Sequence, residues 1–201
     1  MQTSSTTIHA DKSDISQRHL VVVQCRYNST RLSGKAMMIW CGIPMLSFLL
    51  KRLKAGLPED SFKIILATTK VPADNPFTCP EVIECAVNEM IKRKVGYLKC
   101  ENLPEGSGVD LFSANLLRQL GVKAKEPQER EHINMYVLNN MEEYATYFLQ
   151  FDGKYAQPSI RVTVDTIEDL ENVRSIFKQG DIDPWRISLL EIVKRMDPSI
   201  I

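Results

Sequence analysis

The stretch Leu20-Val-Val-Val-Gln-Cys-Arg-Tyr-Asn-Ser-Thr-Arg-Leu-Ser-Gly-Lys35 constrains this chain more than any other. An apolar, β-branched run stops abruptly in a polar, basic loop that closes on Gly34-Lys35, and a helical pattern begins soon after. Near-continuous apolar strands are those that parallel sheets bury on both faces. The order strand, basic loop, helix is how an α/β protein presents a site to a phosphorylated ligand. The strand's carboxyl end opens into a crevice, and the loop supplies N–H groups and cations there. Arg26, Arg31 and Lys35 place three cations together, while Ser29, Thr30, Ser33 and Gly34 let the backbone approach an anion. On charge alone a solvated basic loop is an equal reading, and the apolar strand before it favours a site. Neither the G-x-x-x-x-G-K-[ST] P-loop nor the G-x-G-x-x-G dinucleotide fingerprint is present.

After that loop, Pro44 opens a helix whose face is Met45, Leu46, Leu49, Leu50 and Leu53; Lys51, Arg52 and Lys54 lie near its end and Gly56 stops it. Residues 62–69 form a second buried strand, so the opening third reads as a right-handed βαβ unit. A helix follows with Val82, Ile83, Ala86, Val87, Met90 and Ile91 on its apolar face, and Thr78 with Glu81 has capping-box spacing at its start. Residues 95–100 and 109–112 read as strands, and Ser113 caps a helix that Gly121 ends. Residues 123–140 are charged and then helical. Residues 145–151 and 159–165 read as strands, 166–179 as a helix capped by Thr166 and Asp169, and 187–196 as the last helix.

With 201 residues the chain is long enough for one α/β domain with a sizeable core. Residues 1–19 read as a disordered leader and 20–201 as the single domain. Lys+Arg and Asp+Glu both total 25, a balance that argues against nucleic acid as partner. No apolar run approaches a membrane span. The five cysteines include no C-x-x-C pair, which favours free thiols in a cytoplasmic setting over disulfides or structural zinc.

Gln24-Cys-Arg-Tyr-Asn-Ser-Thr-Arg-Leu-Ser-Gly-Lys35 resembles the Q-A-R-x-x-S-T-R-L-P-G-K signature of sugar-acid cytidylyltransferases, on the branch of the spore coat polysaccharide type, related to the acylneuraminate and KDO enzymes. It departs at Cys25 and Ser33, and neither change removes a cation. The resemblance implies a three-layer α/β/α Rossmann-like nucleotidyltransferase fold with a mostly parallel sheet. It also implies that Gln24, Arg26, Ser29, Thr30, Arg31, Gly34 and Lys35 form the CTP-binding loop, with Arg26 and Lys35 acting on the triphosphate.

A second stretch, Ile160-Arg-Val-Thr-Val-Asp165-Thr-Ile-Glu-Asp169-Leu, places Asp165 at the end of a strand and just before a helix. Such a carboxylate suits a metal facing the crevice, or simply favours the helix dipole. The stretch resembles the family's R-[LV]-T-V-D-T-x-E-D-L signature, which makes Asp165 the magnesium ligand. A third region, Pro104-Glu-Gly-Ser-Gly-Val-Asp110 with Glu129-Arg-Glu-His132 downstream, resembles P-x-G-x-D-V-E and R-E-H on the acceptor side. Asp110, Arg130, Glu131 and His132 are thereby the sugar-binding candidates, and Gly108 stands where the family has an acid. The alternatives are a structural histidine and a solvated helix face.

A fourth region departs further. The family's G-D-C-P turn carries a second metal-ligating Asp, and here the matching piece is Phe77-Thr-Cys-Pro80, with Thr78 at that place. Roughly 40 residues are missing between Asp74-Asn-Pro76 and Cys79-Pro80, about the size of a strand–helix unit, and their loss would remove an inner strand. The expected function is transfer of CMP from CTP to a sugar acid with release of pyrophosphate, in surface-polysaccharide biosynthesis, by an enzyme that could be a homodimer. The alternative is a non-catalytic descendant that binds nucleotide or sugar, or serves in assembly.

Overall fold

The computed structural model describes residues 19–26, 32, 34–69, 75–177, 181 and 183–200; of residues 24–26, 67–69 and 131 it describes the backbone. β1 spans His19–Arg26. A 3-10 turn at Lys35–Met37 and a hairpin of β2 (Ile39–Trp40) and β3 (Ile43–Pro44) lead into α1 (Met45–Gly56). β4 (Phe62–Thr69), α2 (Pro80–Arg93), β5 (Tyr97–Glu101) and β6 (Asp110–Phe112) come next. The chain continues through α3 (Ala114–Lys123), α4 (Pro127–Glu131), α5 (Met135–Asn139) and β7 (Thr146–Gln150) to α6 (Ile167–Ser175) and α7 (Leu189–Met196).

Two strand pairs are parallel and two antiparallel, the parallel ones being the longer, and the main sheet is in two pieces. β1 runs parallel to β4 from His19↔Phe62 to Arg26↔Thr69. The second piece has the order β6-β5-β7, parallel between β5 and β7 and antiparallel between β5 and β6. Val109 and Leu111, before and in β6, pack against the apolar clusters of both pieces, so the interval in the sheet borders β6. An inner strand is absent there among the described residues, as the short segment before α2 implies.

Helices bridge the interval. α1 gives Leu49 and Leu53 to the cluster with Val23 and Phe62, and Phe48 to the larger cluster with Leu98 and Val164. α2 divides in the same way, with Ile83 and Val87 on one side and Val82 and Ala86 on the other. Around β5 the layering is threefold. Leu98 faces the large cluster with α2, α6 and α7, while Tyr97 faces a third cluster with Leu116, Leu120 and Val137 of α3 and α5. Among the described residues only one face of β1 and β4 is covered: Val23 and Phe62 are buried, but Leu20 and Val22 are each 55% exposed. β1 is therefore not the doubly buried strand that its apolar run predicts.

Several local expectations change for identifiable reasons. Thr78 and Glu81 make no capping box: Pro80 takes the first helical position, Cys79 becomes the cap residue, and the Thr78 hydroxyl donates to Asn75 O instead. Gly121 does not end α3, which runs on to Lys123. Gly56 is the last residue of α1 and matters through packing, since a Cβ there would lie 2.5 Å from Pro80 Cβ. Arg52, read as a charge near the helix end, is buried and donates to the carbonyls of Thr78, Trp185 and Ile187, clamping α1 to both segments. Residues 159–165 form no strand; Arg161 makes an isolated parallel bridge with Glu105. The helix at 166–179 closes at Ser175, and its predicted box forms: Thr166 Oγ1 accepts from Asp169 N, and the Asp169 carboxylate accepts from Thr166 N.

Candidate functional site

Gly34 adopts φ +70°, a left-handed conformation that glycine reaches without strain, and starts the 3-10 turn that aims Lys35 inward. Lys35 is 1% exposed. Its Nζ donates to Val164 O at 2.7 Å and to Asp165 Oδ1 at 3.0 Å. A buried ammonium is costly unless paired, and these oxygens pair it. The second Asp165 oxygen, Oδ2, accepts from Arg161 Nη2 at 2.8 Å. Arg161 also donates from Nε to Asp169 Oδ1 at 3.2 Å and from Nη1 to the Glu105 carboxylate. One guanidinium fork thus spans three carboxylates. Burial works against the charged form of Asp169, but the backbone N–H groups of Asp165 and Thr166 and the Arg161 guanidinium outweigh it and hold the carboxyl below its usual range.

Glu105 joins this cluster to a cavity. Glu105 N donates to Ile160 O and Val162 N donates to Glu105 O, each at 2.8 Å, so the loop after β5 is pinned along the Arg161 segment. Gly106, at φ +95°, lets the two backbones approach; a Cβ there would meet Thr163 N at 2.8 Å. Behind the loop lies a cavity of about 330 Å³ lined in part by Cys100, Glu101, Glu105, Gly108 and Asp110, near the lower bound for small-molecule pockets. Asp110 Oδ2 accepts from Tyr97 OH at 3.0 Å and from Asn134 Nδ2 at 2.7 Å. Burial first, and then the Asp110 charge, push the Tyr97 phenol up, keeping it a donor. Glu101 accepts from Gln150 Nε2 at 2.6 Å.

The structure brings Lys35 and Asp165 together across the chain and places Asp110 on the cavity beside them. Gln24 and Arg26 are in β1, with only their backbone described. Ser29, Thr30, Arg31 and Asp74 lie outside the described residues, as does the Glu131 side chain. Arg130 and His132 are exposed at α4 and do not line the cavity. Asn134, two residues beyond His132, is what reaches Asp110. Sequence reading missed Arg161 and Glu105. Arg161 stands in the same signature as Asp165, four residues before it, and that spacing was the available signal.

Magnesium is held by one or two protein carboxylates completed by phosphate and water oxygens. Among the described residues no group of three or more His, Cys, Asp or Glu is gathered for an ion. Asp165 fits as a single carboxylate only if a triphosphate supplies the remaining oxygens and draws the Lys35 ammonium away from Oδ1.

The family model described as "Cytidylyltransferase" matches residues 20–72. The spore coat polysaccharide biosynthesis protein SpsF of Bacillus subtilis (strain 168) is 23% identical over 212 aligned positions, covering 82% of this chain and 88% of the relative. Those positions outnumber the 201 residues available, so the relative carries residues without counterpart here. A cytidylyltransferase structure from Leptospira borgpetersenii serovar Hardjo-bovis (strain JB197) superposes with a TM-score of 0.71 at 21% identity, covering 92% of this chain and 97% of that one. A CMP:2-keto-3-deoxy-manno-octonic acid synthetase complexed with CTP superposes at 0.54 with 16% identity, covering 80% of this chain and 98% of that one. The opening strand–loop–helix–strand thus matches the cytidylyltransferase family model, the chain is similar over most of its length to a spore coat polysaccharide biosynthesis protein, and its fold is that of solved cytidylyltransferases.

Proposed function

We propose that the protein transfers CMP from CTP to a hydroxyl of a sugar, a sugar acid by resemblance, and releases pyrophosphate. The observation that carries this reading is the meeting of Lys35 and Asp165 at 3.0 Å, joined through Arg161 and Glu105 to a cavity that Asp110 lines. Nucleotidyl transfer asks a protein mainly for positioning and charge. Lys35 would move from Asp165 onto the triphosphate, supported by Arg26 and the main chain from Gly34. Asp165 would then hold magnesium, which when bound offsets phosphate charge. Arg161 keeps the Asp165 carboxylate oriented throughout. The cavity would seat the sugar with Asp110, fixed by Tyr97 and Asn134, accepting from its hydroxyls. The free thiols of Cys79, Cys85 and Cys100 accord with a reducing cytoplasm.

Calorimetric titration with CTP, with and without magnesium, tests the assignment. Magnesium should tighten binding, Lys35→Ala should weaken it by about tenfold or more, and Asp165→Asn should abolish the magnesium effect. Unchanged affinity in Lys35→Ala would remove the loop assignment, and an unchanged magnesium effect in Asp165→Asn would remove the metal assignment. The interval in the sheet and Thr78 favour a second reading, nucleotide binding without turnover. Tight CTP binding with no pyrophosphate release from any sugar acid would select it.

A further inference from the structure

Five groups form a line from the cavity to the buried lysine: the cavity itself, Glu105, Arg161, Asp165 and Lys35. Exposure falls along it, from 58% for the Glu105 side chain and 37% for Arg161 to 11% for Asp165 and 1% for Lys35. The outer end meets the solvent and any cavity occupant, while the inner end is screened little by water. The Glu105 backbone is anchored on both sides of Arg161, so its carboxylate sits over the guanidinium without further ordering of the loop.

We propose that Arg161 is a positioning residue that couples the cavity to Lys35. An occupant that hydrogen-bonds Glu105 weakens its hold on Arg161. The guanidinium then answers more to Asp165 and Asp169. Asp165, better neutralised from the Arg161 side, relaxes its hold on the Lys35 ammonium, which becomes available to an anion. Charge on the cavity wall thereby reaches a lysine it never touches, and a sugar and a triphosphate would favour each other's binding. This consequence rests on the proposed cytidylyl transfer; the coupling between Glu105 and Lys35 does not.

The test is a double-mutant cycle read at Lys35 itself. At 1% exposure the ammonium protons exchange slowly, so the Lys35 Nζ resonance can be followed in protein labelled with ¹⁵N-lysine. Glu105→Gln should shift that resonance in the otherwise native protein and leave it in place in the Arg161→Gln background. Should Arg161→Gln fail to fold, Arg161→Lys takes its place, because one ammonium cannot span three carboxylates and the shift should shrink there too. In parallel, Glu105→Gln should tighten CTP binding without magnesium by about twofold to fivefold, again only with Arg161 present. A Lys35 resonance indifferent to Glu105, or shifted equally with and without Arg161, overturns the proposal. Absence of CTP binding by the native protein would overturn the cytidylyl reading, and the resonance would still decide the coupling.

Discussion

Asp169 does two jobs with one carboxylate. Oδ2 accepts from the N–H groups of Asp165 and Thr166, each at 2.9 Å, and Oδ1 accepts from Arg161. The cap was visible in the sequence, because Thr166 and Asp169 have the spacing that a capping box needs. The contact with Arg161 is not, because nothing in the local pattern says that the segment before the helix brings Arg161 over the helix start. The same limit applies at Lys35 and Asp165: the sequence points each to a separate task, and the fold shows that they pair with each other. The lowered Asp169 carboxyl gives a prediction with a definite sign. A group depressed in the folded state adds stability that is complete above its unfolded value, about 3.9 for aspartate, and is lost as pH falls through the folded value. The difference in urea midpoint between the native protein and Asp169→Asn should be constant from neutral pH to about pH 5 and should close below about pH 4. A difference that stays constant through that range would mean that the carboxylate's charge contributes nothing.

Strand β1 shows how an element can be read correctly and still be placed wrongly. Its run of valines predicted a strand, and the strand forms from His19 to Arg26. The same run predicted burial on both faces, yet only the face of Val21 and Val23 packs on α1 and α2. Val22 pairs with Ile65 on the other face, and both side chains are exposed. Apolar composition encodes a strand that expects cover on both faces, and among the described residues nothing covers the face of Leu20 and Val22. Threonine is nearly isosteric with valine, so it separates the two faces cleanly. Val23→Thr buries a hydroxyl and should cost about 1–3 kcal/mol in chemical denaturation. Val22→Thr should stay within about 0.5 kcal/mol, because the new hydroxyl meets water. A Val22→Thr cost as large as that of Val23→Thr would mean that something covers this face in solution.

For the whole molecule, the decisive feature is what holds two pieces of sheet together. The sequence indicated a missing unit through the shortened step from Asn75 to Cys79 and so anticipated a lost inner strand. It could not indicate the remedy, because whether helices alone span an interval depends on three-dimensional packing. α1 and α2 provide that span, each splitting its apolar face between two clusters, and Arg52 fastens α1 to the loop before α2 and to the segment before α7. The two pieces are not equally secured. β5 is paired on both edges and packed on both faces, with Tyr97 and Leu98 both at 0% exposure. Among the described residues β1 is paired with β4 alone and packed on one face. Local opening follows buried contacts and ladder bonds rather than secondary-structure type. Backbone amides of β5 should therefore exchange with deuterium only through global unfolding, with denaturant dependence to match. Amides of β1 and β4 should exchange through a smaller opening that leaves β5 protected. Equal protection of both pieces would show that the helices transmit the full stability of the large core across the interval, and that no inner strand is needed for cooperative folding.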